Sequence, residues 1–265
     1  MPRAGDPVGL READHLNNLA VILYSQGRYD ESSAMHRKAL AIRERTLGSD
    51  HPSVATSLNN LANAVRNAGH FDDAVEIHKR ALTIREQVLG PEHPHVATSL
   101  NNLANVYYSQ GKLDEAIELH ERALAIRRAA HGPEHPSVAT SLNNLAGVLE
   151  KQGRLAESEV MHCKALAIRM RTLGEAHPRV ARTLNNLGKV LRAQGHYAEA
   201  AELSRRALAI KTKALGRNHE DVAAALSDLA GAEKAMGDVE SAAIHHREAL
   251  DIYRATIGVD HPEAA

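Results

Sequence analysis

The nine residues VATSLNNLA stand at 54–62, return at 96–104 and return again at 138–146, each copy starting 42 residues after the last. No feature constrains the chain more, because a sequence that repeats at a fixed period of this size builds one small unit many times over, each unit completing the core of its neighbour. The period extends well beyond the nine residues. His-Pro recurs at His51-Pro52, His93-Pro94, His135-Pro136, His177-Pro178 and His261-Pro262, with His219-Glu220 in the remaining slot. Paired asparagines keep the same phase from Asn17-Asn18 to Asn185-Asn186 and decay to Ser227-Asp228, while Gly27, Gly69, Gly111, Gly153, Gly195 and Gly237 form a third series.

Each copy reads as two helices. In the copy that starts at His93, Pro94 suits a first helical position, since its missing N–H would have no partner there. Val96, Leu100, Leu103, Ala104 and Tyr107 then follow the spacing of one buried stripe, and Gly111 ends helix A. Helix B runs from about Leu113 through Ala116, Ile117, His120, Ala123, Leu124 and Ile126, and Gly132 is expected as a left-handed cap. Alanines at fixed positions allow close approach of helix axes. With 3% aromatic residues and no Trp, the core must come from Leu, Ala, Val and Ile.

Taken in order, Leu100, Leu103, Ala104, Tyr107, Ala116, His120 and Ala123 resemble the consensus of the tetratricopeptide repeat, with His where that family usually carries an aromatic. The 42-residue form resembles the repeats of kinesin light chains and related bacterial arrays. The resemblance implies an all-α, right-handed α-solenoid of six stacked antiparallel helix pairs. The expected organisation is a tail over 1–8, a single solenoid over 9–258 with repeats near 9–50, 51–92, 93–134, 135–176, 177–218 and 219–260, and the start of a truncated seventh repeat or a tail over 259–265. In the first copy Gly9, Leu10 and Glu12 replace His, Pro and Val, which suits a capping end; the last helix B, with Ala242, Ile244, Ala249 and Ile252, is expected to lack a cover and so to offer a route to self-association.

Helices A of that family line a concave groove. The resemblance therefore places the second asparagines, Asn18, Asn60, Asn102, Asn144 and Asn186, in a row along it, where amides can meet the backbone of an extended peptide. In kinesin light chains matching asparagines are associated with such a grip. The alternative is that both Asn rows bond to each other or to neighbouring backbone and set helix spacing. Helical phase adds Asn63, Asn67, Asn105 and the flanking Tyr108 to the groove, and toward the C-terminus Lys151, Arg182, Lys189 and Arg192 form a local basic patch suited to acidic side chains or a terminal carboxylate.

Net charge is −1, from 32 basic and 33 acidic residues, so nothing global recommends nucleic acid. No metalloprotease, phosphate-loop or nucleophile motif appears, and neither a catalytic residue nor a cofactor is expected. The 17 histidines are spread by the repeat rather than clustered, so no metal site is expected, and the helix B row His36, His78, His120, His162 and His246, at the family's aromatic core position, is expected to be partly buried and hydrogen-bonded in a packing role. One cysteine, Cys163, and the absence of a signal or membrane-spanning stretch point to a cytoplasmic setting. The expected role is a non-enzymatic scaffold that binds a peptide segment of a partner protein. A sensor array within a larger switch protein is the alternative, and nucleic-acid binding through the basic third is disfavoured.

Overall fold

The computed structural model of the chain describes residues 7–256, which form twelve α-helices. They fall into two compact units, the first within Met1–Pro133 and the second within Glu134–Ala265. Unit 1 holds α1 (Pro7–Ser25), α2 (Tyr29–Leu47), α3 (Pro52–Asn67), α4 (Phe71–Leu89), α5 (Pro94–Gln110) and α6 (Leu113–His131). Unit 2 holds α7 (Pro136–Lys151), α8 (Leu155–Leu173), α9 (Pro178–Ala193), α10 (Tyr197–Leu215), α11 (Glu220–Met236) and α12 (Val239–Thr256). Consecutive helices pack as antiparallel hairpins within each unit, and helix B of one hairpin packs on helix A of the next.

Helix boundaries follow local chemistry. His51, His93, His135, His177 and His219 are N-caps with extended backbone, and the Nδ1 of each accepts the N–H two residues on, at 3.0–3.2 Å. The imidazole thus does the work usually given to Ser or Asp. Gly111, at φ 77° and ψ 7°, is a left-handed cap. Gly132 differs from its expected form: φ is positive at 82°, but ψ is 161°, an extended mirror conformation that essentially only glycine adopts.

The core is aliphatic, as the composition requires. In unit 1, Val54, Leu58, Leu61, Val65, Ile84, Leu103 and Val106 pack in one cluster with Phe71 and Tyr107 at its edge. In unit 2, Val180, Ala181, Leu184 and Ala207 form one cluster and Leu187, Leu191, Ala201 and Leu229 another. Hairpins close on small residues: a Cβ on Gly188 would touch the carbonyl oxygen of Ala200 at 3.4 Å. Where the alanine of helix B is replaced by serine, its hydroxyl is spent internally, Ser32 donating to the Ala20 carbonyl and Ser158 to that of Ala146, both at 2.8 Å.

Three expectations are corrected. The outward face of α1 is not a polar cap: Val8, Leu19 and Ile22 are exposed, although Leu61 and Ala64, one repeat after Leu19 and Ile22, are buried. On α12, Ala242, Ala249 and Ile252 are buried, because they face α11 rather than the outside; only Ile244 of that set is exposed. His246 is exposed, whereas His36, His78, His120 and His162 lie in the core, because no helix of the described residues follows to cover it. The tail residues 259–265 and His261-Pro262 lie outside the described residues.

Candidate functional site

The two asparagine rows have different surroundings. Asn59, Asn101, Asn143 and Asn185 are buried; Asn60, Asn102, Asn144 and Asn186 are half-buried and Asn18 is exposed. Asn59 is the hub of a buried polar cluster: its amide nitrogen donates to His78 Nδ1 at 2.9 Å, and its oxygen accepts from Arg85 Nη1 and Nη2 at 2.7 and 3.1 Å and from Ser99 Oγ at 3.3 Å. The network joins α3 to α4 and α5 and satisfies both ends of the Asn59 amide, while His78 Nε2 stays buried without a partner.

Second-row asparagines divide into two groups. Asn60 Nδ2 donates to Asn17 Oδ1 at 3.2 Å, and Asn186 Nδ2 to Asn143 Oδ1 at 3.3 Å. Where the sixth repeat has Asp228 in the second-row position, Asn185 donates to it at 3.1 Å. The recurring geometry joins a first-row residue to the second-row residue one repeat on. Asn102 breaks the pattern, because Asn59 is engaged by His78 and Arg85, and its amide makes no hydrogen bond among the described residues. Asn18, Asn63 and Asn105 likewise have unbonded side chains on the same half-exposed helix A face.

Further along that face in unit 1, Asn67 donates to the Tyr24 hydroxyl at 2.6 Å and accepts from Arg66, and Tyr24 meets Tyr29 edge-on at 5.3 Å. Asn67 is therefore a brace for an aromatic wall rather than a free amide. Two clefts open beside it: one of about 180 Å³ lined by Val21, Tyr24, His36, Asn60 and Asn63, and one of about 590 Å³ that includes Arg66, Phe71, Asn105 and Tyr108.

The basic patch in unit 2 is largely neutralised. Lys189 Nζ lies 3.4 Å from Asp228 Oδ1. Burial pushes the Asp228 carboxyl up, and the charges of Lys189, Lys211 and Arg192 pull it back; Glu150 is likewise pushed up by burial and pulled down by Lys189 and Arg192. The Arg192 guanidinium fills the space that a side chain at Gly231 would need. Arg182 is exposed and makes no ion pair among the described residues. Lys151, also exposed, stands at the end of α7.

A row that the spacing argument did not single out proves structural. Arg43, Arg85, Arg127, Arg169 and Lys211 recur at the 42-residue period on helix B. Arg85 donates to Ser99 Oγ at 2.9 Å and the His95 carbonyl at 3.2 Å, Arg169 to Thr183 Oγ1 and the Arg179 carbonyl, and Lys211 to the Asp221 carbonyl at 3.1 Å. Arg85, Arg169 and Lys211 thus latch their hairpins to the first turns of the next helix A. The signal for it was present in the invariant phase, but a surface role is the ordinary expectation for Arg. Cys163 is exposed, yet partial desolvation of its thiol, together with the charge of Glu159, pushes the thiol up, away from nucleophilic activation.

No described helix is long and apolar enough to cross a membrane. A family model described as tetratricopeptide repeat matches residues 11–87, 66–129, 95–169, 137–213 and 202–255. Among solved structures, the chain is similar to the nearly identical TPR-like repeats assigned to a kinesin light chain of Podosopora anserina, with 30% identity over 78% of this chain and 98% of that one and a TM-score of 0.67. It is also similar to BtubC (BKLC) from P. vanneervenii, with 27% identity over 94% of each chain and a TM-score of 0.69. The apo form of RapI, at 15% identity over 92% of this chain and 84% of that one with a TM-score of 0.68, shares the fold. No curated protein sequence matches the chain.

Proposed function

Because the chain belongs to the tetratricopeptide repeat family, whose repeats generally mediate protein–protein interactions, we propose that it is a non-enzymatic scaffold holding an extended peptide segment of a partner protein along its helix A face. The observation that carries this reading is the set of unbonded amides in unit 1, Asn18, Asn63, Asn102 and Asn105, on one face beside the Tyr24 wall. A half-exposed amide with no internal partner costs nothing to leave in water and offers a donor and an acceptor together, which matches the alternating groups of an extended backbone. Unit 2 carries Asn144 and Asn186 on its own helix A face, where Lys151 and Arg182 supply positive charge toward acidic side chains. Lys189 and Arg192 hold Asp228 and Glu150 more directly, so they set the shape of that face and contribute less free charge.

Selection from a peptide library against the purified chain, with an Asn102→Ala/Asn144→Ala double variant beside it, tests the reading. Enriched extended sequences that the variant loses support it; equal enrichment by both chains, or none, refutes it. The rival in which the basic third binds nucleic acid predicts affinity that collapses steeply between 50 and 200 mM salt through counterion release. The ion pair of Lys189 with Asp228 weighs against that rival. Self-association is a further expectation of this reading, through the exposed Leu19 and Ile22 of α1 or Val239 and Ile244 of α12, and light scattering across a concentration series checks it. A cytoplasmic setting agrees with the single exposed thiol of Cys163.

A further inference from the structure

One helix B cation stands apart from its equivalents. In unit 1, Arg43 Nη2 donates to Asp14 Oδ1 at 2.6 Å, inside a cleft of about 310 Å³ lined by Leu10, Asp14, Arg43, Leu47, Ser53 and Thr56. Arg85 Nη2 reaches Thr56 Oγ1 at 3.4 Å. The residues three repeats on from that cleft are Pro136, Thr140, Arg169, Leu173, Arg179 and Arg182. The carboxylate is gone, a threonine stands in its place, and two arginines have replaced a serine and a threonine.

The consequence is visible at Arg169. Its side chain is 1% exposed, Nη1 is engaged by Thr183 and the Arg179 carbonyl, and Nη2 is buried without any hydrogen-bond partner. A buried guanidinium N–H that is left unpaired is costly, and a charged one more so. No acid relieves it: Arg179 and Arg182 are its nearest charged influences, both repulsive, and neither makes an ion pair among the described residues. Arg171 on the same helix is taken up by Glu134. The first turns of α9, which carry Arg179 and Arg182, add the positive end of a helix dipole.

We infer that Thr140, Arg169, Arg179 and Arg182 form a seat for a doubly charged oxyanion, a phosphoryl group, which supplies from outside the acceptor that Asp14 supplies internally to Arg43. Three arginines at the repeat positions that line the Asp14 cleft, with no carboxylate among them, suit a dianion with three acceptor oxygens better than a single carboxylate. Burial of Arg169 also moves its pKa down, to about 10, the direction expected of a cation whose counter-charge is missing. This goes beyond peptide capture by the asparagine face, and either can fail while the other stands.

The test uses the whole chain and inorganic phosphate, with thermal unfolding and calorimetric titration at constant ionic strength against chloride. O-phosphoserine and acetate serve as parallel probes. Wild type should bind phosphate and O-phosphoserine at least ~10-fold more tightly than acetate, and Arg182→Gln should weaken phosphate ~10-fold, one charge-assisted bond's worth. Thr140→Asp rebuilds the arrangement of Asp14 and Arg43, so it should raise the melting temperature without phosphate and abolish the response to it. Arg128→Gln, an exposed substitution in unit 1, should change neither. A seat that takes O-phosphoserine but not inorganic phosphate would still be a phosphoryl site whose source is a modified side chain. Equal phosphate shifts in wild type, Arg182→Gln and Thr140→Asp would show an adventitious ion only, and no response in wild type, or acetate binding as tightly as phosphate, would overturn the assignment.

Discussion

Asn60 donates its side-chain N–H to the side-chain oxygen of Asn17, 3.2 Å away and 43 positions earlier in the chain. That one bond answers half of why the repeat carries two adjacent asparagines: the second of one copy is the partner of the first of the copy before. Asn186 with Asn143 repeats it, and Asp228 with Asn185 preserves it after the amide is lost. Asn102 has no such partner, because Asn59 is committed to His78, Arg85 and Ser99. The same sequence position is therefore bonded across the repeat junction in some copies and left unbonded in another.

The difference is measurable by stability. Asn60→Ala removes a part-buried hydrogen bond and should cost about 1 kcal/mol, while Asn102→Ala removes none and should stay within about 0.5 kcal/mol of wild type. Urea unfolding of both variants checks this. Comparable losses in the two would mean that Asn102 is as structural as Asn60.

His93 caps α5 by accepting the His95 N–H at 3.1 Å. His93→Ala should therefore destabilise the chain by about 1 kcal/mol, and His93→Asn or His93→Asp should recover most of it, since each offers an oxygen in the same role. No loss in His93→Ala, or no recovery in His93→Asn and His93→Asp, would remove the cap from the account of helix initiation.

Burial holds His36, His78, His120 and His162 down to a pKa of about 4, with the charge of a nearby arginine acting in the same direction. Against an unfolded value of about 6.5, the unfolded chain binds more protons throughout the interval between. Their contribution to stability is thus present in full above about pH 6.5 and is lost as pH falls toward 4. Thermal melts from pH 7.5 to 4.5 should show a steep decline. Both ring nitrogens of His120 are buried without partners, so His120→Phe should be neutral or stabilising at pH 7 and should flatten the acid limb. A wild type with no decline between pH 6.5 and 4.5 would contradict the buried, neutral row.

Arg85 ties α4 to α5 through Ser99 and the His95 carbonyl and closes the cluster around Asn59. Arg85→Met, which keeps the aliphatic stem, should cost about 2–4 kcal/mol because it strands Asn59 and Ser99 in a buried site. Arg85→Lys should cost less, as Lys211 already fills the equivalent place in a later repeat. A double-mutant cycle with Ser99→Ala reads the coupling directly; additive losses would show that the latch is not a unit.

The sequence by itself determined the period, the all-α character and nearly every helix end, because Pro after the cap, Gly at the turn and the apolar stripe act within a few residues of one another. Pro94, Gly111 and Leu113 mark their boundaries without knowledge of any neighbour. It also separated core from surface along helix A, since Val96, Leu100 and Leu103 recur at helical spacing. What stacking decided is who meets whom. Lys189 and Asp228 read as neighbours on one face, but only packing brings them to 3.4 Å, and Ala249 and Ile252 read as uncovered until α11 is seen to cover them. Likewise Arg85 and Arg169, which spacing alone did not single out, reach into the following hairpin. Periodicity specifies which face a residue occupies, but hydrogen bonds and ion pairs depend on separations of a few ångströms between residues one repeat or more apart, and only the packed chain sets those.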